Sequence, residues 1–380
     1  MKICAIICEY NPFHNGHLRQ LNAAREQSQS DAVLCIMSGN FVQRGQAAII
    51  NKHIRAKHAV QAGADAVIEL PTPFATSNAE IFAKGAIHIL SSIPSIKTLC
   101  FGAENADKLA FISAARYLRE EPQEISEKIK QEIKSGVSYA KARANAYAGF
   151  IPFDLLSAPN NILGLEYTKA ILSSNTNIDI LPIQRTGAGY LDEELQENYS
   201  SASAIRAAIQ QGATISGNLP DFVKKDLPSQ IDDKLETLEK YAIFERTAQE
   251  IASTLDCTEG LENALKRAAE SNENVVLGLT SARYTSSRIR RILLQNLLKI
   301  DETLIRESLH TPLYLRVLAI KKERNDLLSA LSESNFPLLA RAHDDSKLNE
   351  TAKRCFERDL FAERVHNLLY PTPKKETIFI

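Results

Sequence analysis

Two histidines flank a glycine at His14, Gly16 and His17, where an apolar, strand-like run over residues 3–8 gives way to a helical pattern. A strand-to-helix junction points several backbone N–H groups, and the positive end of the helix dipole, at one spot. The two histidines are three residues apart, so they share one face of the first helical turn. Gly16 leaves room for a ligand to approach the backbone. The pattern therefore predicts an anion site, most simply for a nucleotide phosphate.

The chemistry that suits this junction is displacement at the α-phosphate of a nucleotide. Negative charge builds on the phosphate oxygens in that reaction, and imidazoles and helix-end N–H groups stabilise it without a covalent intermediate. His14 and His17 are therefore candidate catalytic residues. The alternative is a pair of ordinary surface or capping histidines, because the four-residue pattern is weak by itself. Its place between the first strand and the first helix favours the catalytic interpretation.

A second candidate anion site lies at residues 199–206, just before and inside a helical pattern. The hydroxyls of Ser200, Ser201 and Ser203 are expected to cap the N-terminus of that helix. The same N-terminus can cradle an anion, with Arg206 reaching a β- or γ-phosphate. Capping and phosphate binding are compatible, so Arg206 is the third candidate catalytic residue.

Three more strand ends carry polar residues or glycine. Residues 39–45 contain Arg44, which either contacts substrate or is a solvated arginine in a turn. Gly102 would let an adenine or a ribose pack against the backbone, although a simple strand-to-helix turn explains it equally well. Glu69 is expected only to anchor loops by hydrogen bonding.

Three cations, Lys52, His53 and Arg55, open the next helical pattern. Cations at a helix N-terminus oppose the helix dipole. Their placement therefore favours an anionic ligand nearby.

Four arginines and a tyrosine cluster in the C-terminal half, namely Arg283, Tyr284, Arg288, Arg290 and Arg291. Residues 280–324 contain ten Lys or Arg against four Asp or Glu. A tyrosine among arginines can stack on a base while the guanidinium groups hold phosphates. The alternative is a solvated helix face, but the excess of arginine favours RNA contact.

The elements that must position these residues alternate along the first half of the chain. Strand-like runs lie at residues 3–8, 32–37, 65–70, 96–101 and 178–183. Helical patterns lie between them at residues 16–28, 52–63, 77–91 and 105–119. This alternation predicts a parallel sheet with helices on both faces, whose ligands bind beyond the carboxyl ends of the strands. Residues 186–202, rich in Gly, Ser and acidic residues, are predicted to form a long functional loop.

Helical patterns dominate after about residue 220, with no further strand expected. They lie at residues 221–227, 232–254, 259–272, 284–299, 302–308, 314–332 and 349–369. The predicted fold is therefore α/β, with a Rossmann-like, parallel-sheet nucleotidyltransferase domain over residues 1–212. A mainly α-helical C-terminal domain, predicted to bind RNA, follows over residues 218–380.

Composition narrows the class of protein further. The formal net charge of -1 over 380 residues excludes a generally basic nucleic-acid coating protein but not a local basic patch. The six cysteines form no C-x-x-C pair and are predicted to be buried thiols in a reducing compartment. No run approaches the ~20 apolar residues of a membrane helix, and no signal-peptide pattern is present. We expect a soluble, cytoplasmic protein of unknown oligomeric state that does not bind a membrane.

Four segments together resemble the bacterial tRNA(Met) cytidine acetate ligase family, which belongs to the H-x-G-H nucleotidyltransferases. They are residues 9–17 (EYNPFHNGH), 38–45 (SGNFVQRG), 63–71 (GADAVIELP) and 159–164 (PNNILG). The arginine cluster is similar to the Arg-Tyr-Thr block of that family. The resemblance covers nearly the whole chain.

The resemblance implies that ATP and acetate give acetyl-adenylate and pyrophosphate. The acetyl group then moves to N4 of the wobble cytidine of elongator tRNA(Met), and AMP is released. The implied ATP-site residues are Ile7, Cys8, Glu9, Tyr10, Asn11, Pro12, Phe13, His14, Asn15, Gly16, His17, Leu18, Arg19, Gln20, Gly102, Asn160 and Arg185. Because the sequence has no carboxylate cage, any Mg²⁺ is expected to be held by ATP phosphates and water.

Two alternatives stay open. A small-molecule adenylyltransferase of cofactor biosynthesis would use the same phosphate site, but the large helical half argues against it. An RNA-binding or assembly factor with a vestigial pocket would not need His14, Gly16 and His17 intact.

Overall fold

A computed structural model describes most of the chain, namely residues 1–137, 139–185, 199–215, 217–232, 234–271, 273–340, 344–372 and 377–380. The predicted loop over residues 186–202 lies outside the described residues except for its last four positions.

Strands and helices alternate through the first half, as the sequence predicts. The strands are β1 (Ile3–Cys8), β2 (Ala32–Ser38), β3 (Phe41–Val42), β4 (Gln46–Ala47), β5 (Ala66–Leu70), β6 (Ile96–Ala103), β7 (Asp179–Gln184), β8 (Leu315–Ile320), β9 (Leu338–Leu339) and β10 (Ile378–Phe379). The helices up to β7 are α1 (Asn15–Ser28), α2 (Lys52–Gln61), α3 (Thr72–Ala75), α4 (Ala79–Ser91), α5 (Lys108–Arg119), α6 (Gln123–Lys134), α7 (Tyr139–Ala146), α8 (Phe153–Ser157) and α9 (Pro159–Ser173). Those after β7 are α10 (Ala202–Gln210), α11 (Asp221–Lys224), α12 (Lys234–Glu245), α13 (Ala248–Ala252), α14 (Leu261–Glu270), α15 (Val275–Leu279), α16 (Ser286–Leu298), α17 (Glu302–Ser308), α18 (Asn325–Ser332) and α19 (Glu350–Leu369), with a 3-10 helix at Asp344–Lys347.

One central sheet organises the molecule, with strand order β10-β8-β5-β2-β1-β6-β7 and β9 beside β8. β5, β2, β1, β6 and β7 run parallel to one another. β3 and β4 form a separate antiparallel hairpin. The predicted fold class, a Rossmann-like parallel-sheet domain followed by mainly helical structure, is confirmed.

Both faces of the sheet are covered, which explains why its strands are almost continuously apolar. Along β1, Ile3, Ala5 and Ile7 face one core, and the alternate side chains face the other. The six cysteines are all buried and unpaired, as predicted. The carboxyl ends of β1, β2 and β6 therefore lie together at one edge of the sheet, and the two apolar cores support them.

The prediction of a helix over residues 314–332 is wrong in its first part, and so is the expectation of no strand after residue 220. Residues Leu315–Ile320 form β8, which pairs antiparallel with β5 and is buried along its whole length. A short, fully buried apolar run cannot be assigned to helix or strand from its periodicity. The open edge of β5 decides the conformation here, through hydrogen bonds that the local sequence does not encode.

Beyond residue 220, the helices divide between two cores. α12 to α16 enclose a small apolar core that includes Ile243, Leu265 and Ile289. α18 and α19, by contrast, contribute to the core of the central sheet. The division into residues 1–212 and 218–380 stays a prediction.

The three cations at the start of α2 do not form an anion site, so that interpretation is wrong. Lys52 Nζ lies 2.7 Å from a Glu69 carboxylate oxygen and 3.2 Å from Glu363, with 1% of its side chain exposed. Arg55 is fully buried and donates hydrogen bonds to backbone carbonyls, including those of Ile50 and Ser38. Carboxylates and backbone carbonyls satisfy Lys52 and Arg55, whereas burial lowers the pKa of His53 to about 4, so its ring is neutral.

Glu69 anchors this packing, as expected. Its carboxylate also accepts a hydrogen bond from Arg316 Nη1 of β8 at 3.0 Å. Arg316 in turn lies 3.5 Å from Glu363 of α19. The buried ion cluster, defined as Lys52, Glu69, Arg316 and Glu363, therefore ties the sheet to the C-terminal strand and helix.

Candidate active site

An open cleft of about 1090 Å³, including space open to solvent, lies at the carboxyl ends of β1 and β6. It brings together twelve of the residues assigned to the ATP site or to catalysis, namely Ile7, Cys8, Glu9, Tyr10, Asn11, His14, His17, Gln20, Gly102, Asn160, Arg185 and Arg206. Gly16 and Arg19 line an adjoining smaller pocket that shares His14, His17 and Arg185 with the cleft. Pro12, Phe13, Asn15 and Leu18 line neither cavity and support the turn from behind.

The two histidines begin α1 and cap it with their own side chains. His14 Nδ1 accepts a hydrogen bond from the Gly16 backbone N–H at 3.1 Å. His17 Nδ1 accepts one from the His14 backbone N–H at 3.3 Å. Because each Nδ1 is an acceptor, these bonds assign the remaining proton of each neutral ring to Nε2. Capping and catalysis, which the sequence left as alternatives, are compatible in this geometry.

Both imidazoles are neutral at physiological pH. Burial, followed by the charges of Arg185 and Arg206, lowers the pKa of His14 to about 3. Burial, followed by the neighbouring His14 and then Arg185, lowers the pKa of His17 well below its usual value. The rings stack with centroids 3.7 Å apart, which two imidazolium ions would not tolerate. The cleft therefore presents two fixed N–H donors without adding net charge.

Arg206 lies on α10, whose N-terminus also opens onto the cleft. Ser201 caps this helix by accepting a hydrogen bond from the Ala204 N–H at 3.0 Å, as predicted. Arg206 Nη1 donates to the Asn11 carbonyl at 2.8 Å, and Nη2 donates to Ser203 Oγ at 3.2 Å. These bonds hold the Arg206 guanidinium beside the turn that precedes α1.

Gly102, Arg185 and Asn160 form the side of the cleft near β6 and β7. A Cβ at Gly102 would meet only the Arg185 side chain, at 3.6 Å, so the backbone there is open to a flat ligand. The Arg185 backbone N–H is bonded to the Ala103 carbonyl, which fixes this cation at the end of the sheet. The Asn160 side chain donates to Glu104 at 2.6 Å and is held in place by it.

An apolar wall completes the cleft and was not predicted as part of the site. Phe82, Phe101, Leu163 and Tyr167 line it, and the rings of Phe101 and Tyr167 are 5.9 Å apart. These residues lie in ordinary apolar runs of strands and helices, so only the tertiary structure distinguishes them from core. They offer a surface on which a planar base can pack.

The predicted turn over residues 39–45 becomes the β3–β4 hairpin, which separates the cleft from a second groove. Gln43 and Arg44 line the cleft. Arg44, Arg206, Arg290 and Tyr370 line the groove, which has a volume of about 1100 Å³ including open space. Two residues that were assigned to different sites from the sequence, Arg206 and Arg290, therefore meet along one groove.

A glycine allows this hairpin to pack closely against α16. Gly45 has φ +70°, and a Cβ there would lie 2.6 Å from the backbone carbon of Arg290 and from the backbone nitrogen of Arg291. Only a residue without a side chain allows this approach. The arginine-rich helix is thus in direct contact with one wall of the cleft.

The five residues of the arginine cluster differ in how much they can offer a ligand. Arg283 is exposed and pairs with Glu259, and the Arg288 guanidinium lies 5.1 Å from the Tyr284 ring centroid. Arg288 also donates to the Asp256 carbonyl at 2.7 Å, whereas Arg291 has 12% of its side chain exposed and lies 3.8 Å from the Asp256 carboxylate. Arg290 is half-buried and lines the groove. RNA binding by these residues stays a prediction, and Arg283 and Arg290 are the better placed.

Within the described residues, no group of three or more His, Cys, Asp or Glu side chains is arranged to hold a metal ion. No helix among them is long and apolar enough to span a bilayer.

The chain resembles known proteins along its whole length. Residues 1–378 match the family model described as HIGH Nucleotidyl Transferase. A protein of Thermoanaerobacter sp. named tRNA(Met) cytidine acetate ligase is 38% identical over 387 residues, covering 97% of this chain and 96% of the relative. A protein of the same name from Acetivibrio thermocellus is 35% identical and covers 98% and 96%.

Two solved structures of Thermotoga maritima TmcAL agree with this relationship. The apo form I is 26% identical, has a TM-score of 0.91 and covers 100% of both chains. The form bound with alpha-thio ATP is 27% identical, has a TM-score of 0.85 and covers 98% of this chain and 95% of that one. This chain is therefore a member of the tRNA(Met) cytidine acetate ligase family of HIGH nucleotidyl transferases.

Proposed function

We propose that this chain activates acetate with ATP and transfers the acetyl group to N4 of the wobble cytidine of elongator tRNA(Met). The observation that carries the proposal is the pair of neutral, capping imidazoles, which direct two Nε2–H donors at a cleft flanked by Arg185 and Arg206. Membership of the tRNA(Met) cytidine acetate ligase family supports acetate and a cytidine of tRNA(Met) as substrates, and the TmcAL complex with alpha-thio ATP supports ATP. A tRNA substrate also implies a cytoplasmic location.

In the first step, an acetate oxygen attacks the α-phosphorus of ATP, and pyrophosphate leaves. Acetate is already ionised at neutral pH, so no base is required. His14 and His17 donate hydrogen bonds to the phosphate oxygens as negative charge develops there, and they need no reorganisation because capping has already fixed them. Arg206 and Arg185 stabilise the triphosphate and the departing pyrophosphate. Positioning and charge stabilisation thus account for the step without a protein nucleophile.

Mg²⁺ is proposed to enter with ATP as part of the substrate. Glu9 is the one carboxylate on the lining of the cleft within the described residues, which does not make a protein cage for the ion. This donor set fits an Mg²⁺ ion coordinated by phosphate oxygens and water. Such an ion would neutralise part of the triphosphate charge.

The tRNA is proposed to lie across α16 and the groove beside the β3–β4 hairpin. Arg283 and Arg290 are proposed to contact phosphates, and the Tyr284 ring lies within 5.8 Å and 5.1 Å of the Arg283 and Arg288 guanidinium groups. The groove leads from Arg290 to Arg206 at the mouth of the cleft. An anticodon nucleotide can thus approach the acyl group while the rest of the tRNA stays outside.

The test incubates the purified chain with ATP, labelled acetate and bulk tRNA. The proposal expects label in tRNA only when ATP is present, and N4-acetylcytidine after nuclease digestion. Pyrophosphate release with a metabolite but never with acetate would instead indicate a small-molecule adenylyltransferase. No ATP turnover under any condition would indicate an RNA-binding factor.

Replacement of His17 by alanine gives a sharper test of the site. Loss of one preorganised donor is expected to slow acetyl-adenylate formation by roughly 10²–10³-fold. Binding of tRNA should persist, because His17 lies away from α16. The exposed His310 provides a matched control, and His310→Ala should behave as wild type in both assays.

A further inference from the structure

A single carboxylate among cations is the least expected feature of the cleft. Glu9 follows β1 and is the one Asp or Glu on the cleft lining within the described part of the chain. Arg44, Arg185 and Arg206 line the same space. The substrates of the proposed first step are all anions, which a carboxylate repels. Recognition of the phosphate and acetate groups therefore does not explain Glu9.

The two carboxylate oxygens of Glu9 differ in their hydrogen bonding. Its Oε1 accepts a hydrogen bond from the Gln43 backbone N–H at 2.7 Å and one from Ser38 Oγ at 3.4 Å. Its Oε2 forms no hydrogen bond with any residue that the structure describes. Burial raises the pKa of this carboxyl above its usual value, against the opposing effects of the Gln43 N–H and nearby arginines. An oriented carboxylate with a free oxygen and increased basicity is suited to accept a proton.

The second step of the proposed reaction has a proton to lose. The exocyclic amine of cytosine attacks the acyl carbon, a C–N bond forms, and the bond between the acyl carbon and the AMP phosphate oxygen breaks. AMP leaves with the electron pair of that bond, and the nitrogen must give up one proton to become a neutral amide. A base within reach of the nitrogen would accelerate this step by accepting that proton.

Among the described residues that line the cleft, the other titratable groups do not fill this role. The Nδ1 atoms of His14 and His17 already accept backbone hydrogen bonds, and their Nε2 atoms carry the ring protons. Burial raises the pKa of the Cys8 thiol and of the Tyr10 phenol well above their usual values, so both stay protonated. Glu9 is left as the group with an available lone pair.

Glu9 also lies on the side of the cleft from which RNA would come. Its partner Gln43 belongs to the β3–β4 hairpin, and Arg44 beside it lines both the cleft and the groove that extends to Arg290. Arg206 is likewise shared by the two cavities. A nucleotide entering along the groove passes the hairpin and meets the Glu9 end of the cleft first.

We propose that Glu9 is the general base of acetyl transfer, accepting the proton from the exocyclic amine of the acceptor cytidine as that amine attacks acetyl-adenylate. The assignment rests on the proposed function and gives the two chemical steps different residues. The imidazoles and arginines serve adenylate formation, and Glu9 serves transfer.

The test measures the two half-reactions separately in the full chain carrying Glu9→Gln. Glutamine keeps the size of the side chain and an oxygen that can accept from the Gln43 N–H, but it removes the base. Single-turnover transfer from synthetic acetyl-adenylate to tRNA should fall by roughly 10²-fold or more. Acetate-dependent exchange of pyrophosphate into ATP should fall much less, because Glu9 takes part in that step only as one residue of the ATP-site lining. Glu9→Asp, which restores a carboxylate, should recover part of the transfer rate.

His17→Ala is the matched opposite variant, expected to lose exchange while still transferring acetyl from supplied acetyl-adenylate. The wild-type transfer rate should also decline in acid as one group, with a pKa above that of an ordinary carboxyl, takes up a proton. The Glu9→Gln enzyme should lack this limb of the pH profile. ATP affinity measured by calorimetry checks that the variant is folded.

Three results would overturn the assignment. Equal loss of exchange and transfer in Glu9→Gln would mean that Glu9 serves ATP or its metal ion. Unchanged transfer would mean that the amine needs no protein base or uses another. If the wild-type chain does not acetylate tRNA from supplied acetyl-adenylate, the proposed function itself fails, and the inference fails with it.

Discussion

Replacement of Gly45 by alanine tests whether the β3–β4 hairpin is seated on α16. At φ +70° an alanine adopts a left-handed conformation, which costs roughly 1–2 kcal/mol. Its Cβ would also lie 2.6 Å from two backbone atoms of α16, at Arg290 and Arg291, and such overpacking costs about 1–3 kcal/mol more. The expected loss of stability is therefore roughly 2–5 kcal/mol.

Gly212 supplies the control for the conformational part of this cost. Its φ is +68°, and nothing lies within 4 Å of a Cβ built there. Gly212→Ala should cost only the left-handed strain of about 1–2 kcal/mol. For cooperative unfolding of a chain of 380 residues, an entropy of about 2.1 cal/mol/K per residue converts these losses into decreases in Tm of roughly 1–3 °C for Gly212→Ala and 3–6 °C for Gly45→Ala.

The same variants separate stability from function. Displacement of the hairpin moves the Gln43 N–H that orients Glu9 and changes the groove beside Arg290. Gly45→Ala should therefore reduce acetyl transfer to tRNA more than acetate-dependent pyrophosphate exchange, whereas Gly212→Ala should leave both rates unchanged. Calorimetry and the two half-reaction assays provide the measurements. Equal Tm decreases in the two variants would refute the close contact between the hairpin and α16.

Three further predictions concern pH, salt and the buried ions. Lowering the pH from 7 to 5 should destabilise the ligand-free protein, because unfolded His14 takes up a proton near pH 6.5 and folded His14, with a pKa of about 3, does not. This residue alone should lower the free energy of unfolding by about 2 kcal/mol. In urea titrations, His14→Asn should weaken the pH dependence of that free energy. Arg290→Ala should weaken tRNA binding and reduce the slope of log Kd against log salt by about 1, whereas Arg119→Ala on α5 should leave the slope unchanged in filter-binding assays. Glu69→Ala should cost about 3–5 kcal/mol, because it leaves two buried cations, Lys52 and Arg316, with Glu363 as their one remaining carboxylate in the cluster. Loss of Glu302 from its exposed pair should cost less than about 1 kcal/mol, and similar denaturation midpoints for the two variants would contradict the cluster.

The sequence predicts the central strands within residues 1–212 well, because local patterns of apolar residues are enough to locate them. β1, β2, β5, β6 and β7 lie within two residues of their predicted ends at either terminus. Short, fully apolar runs separated by amphipathic helices allow few arrangements other than a parallel sheet. The start of α1 was equally predictable, because capping histidines at His14 and His17 fit the change from an apolar run to a helical pattern.

What the sequence misses depends on distant contacts. β8 resembles a helix locally, and its conformation is decided by the edge of β5. The cations of α2 suggest an anion site because their partners, Glu69 and Glu363, are far away in the chain. The same applies to Phe82 and Tyr167, which contribute to the cleft from apolar runs that resemble ordinary core.

The pairing of β8 with β5 has a consequence for biosynthesis. A ribosome completes β5 long before it makes β8 and α19, so for most of translation the emerging chain carries an uncovered sheet edge and a Glu69 that lacks its Arg316 partner. The nucleotide half therefore reaches its final form only when the last helix has left the exit tunnel. Expression of residues 1–212 alone should yield a fragment that needs a chaperone to stay in solution, because strand edges of this kind pair with other chains.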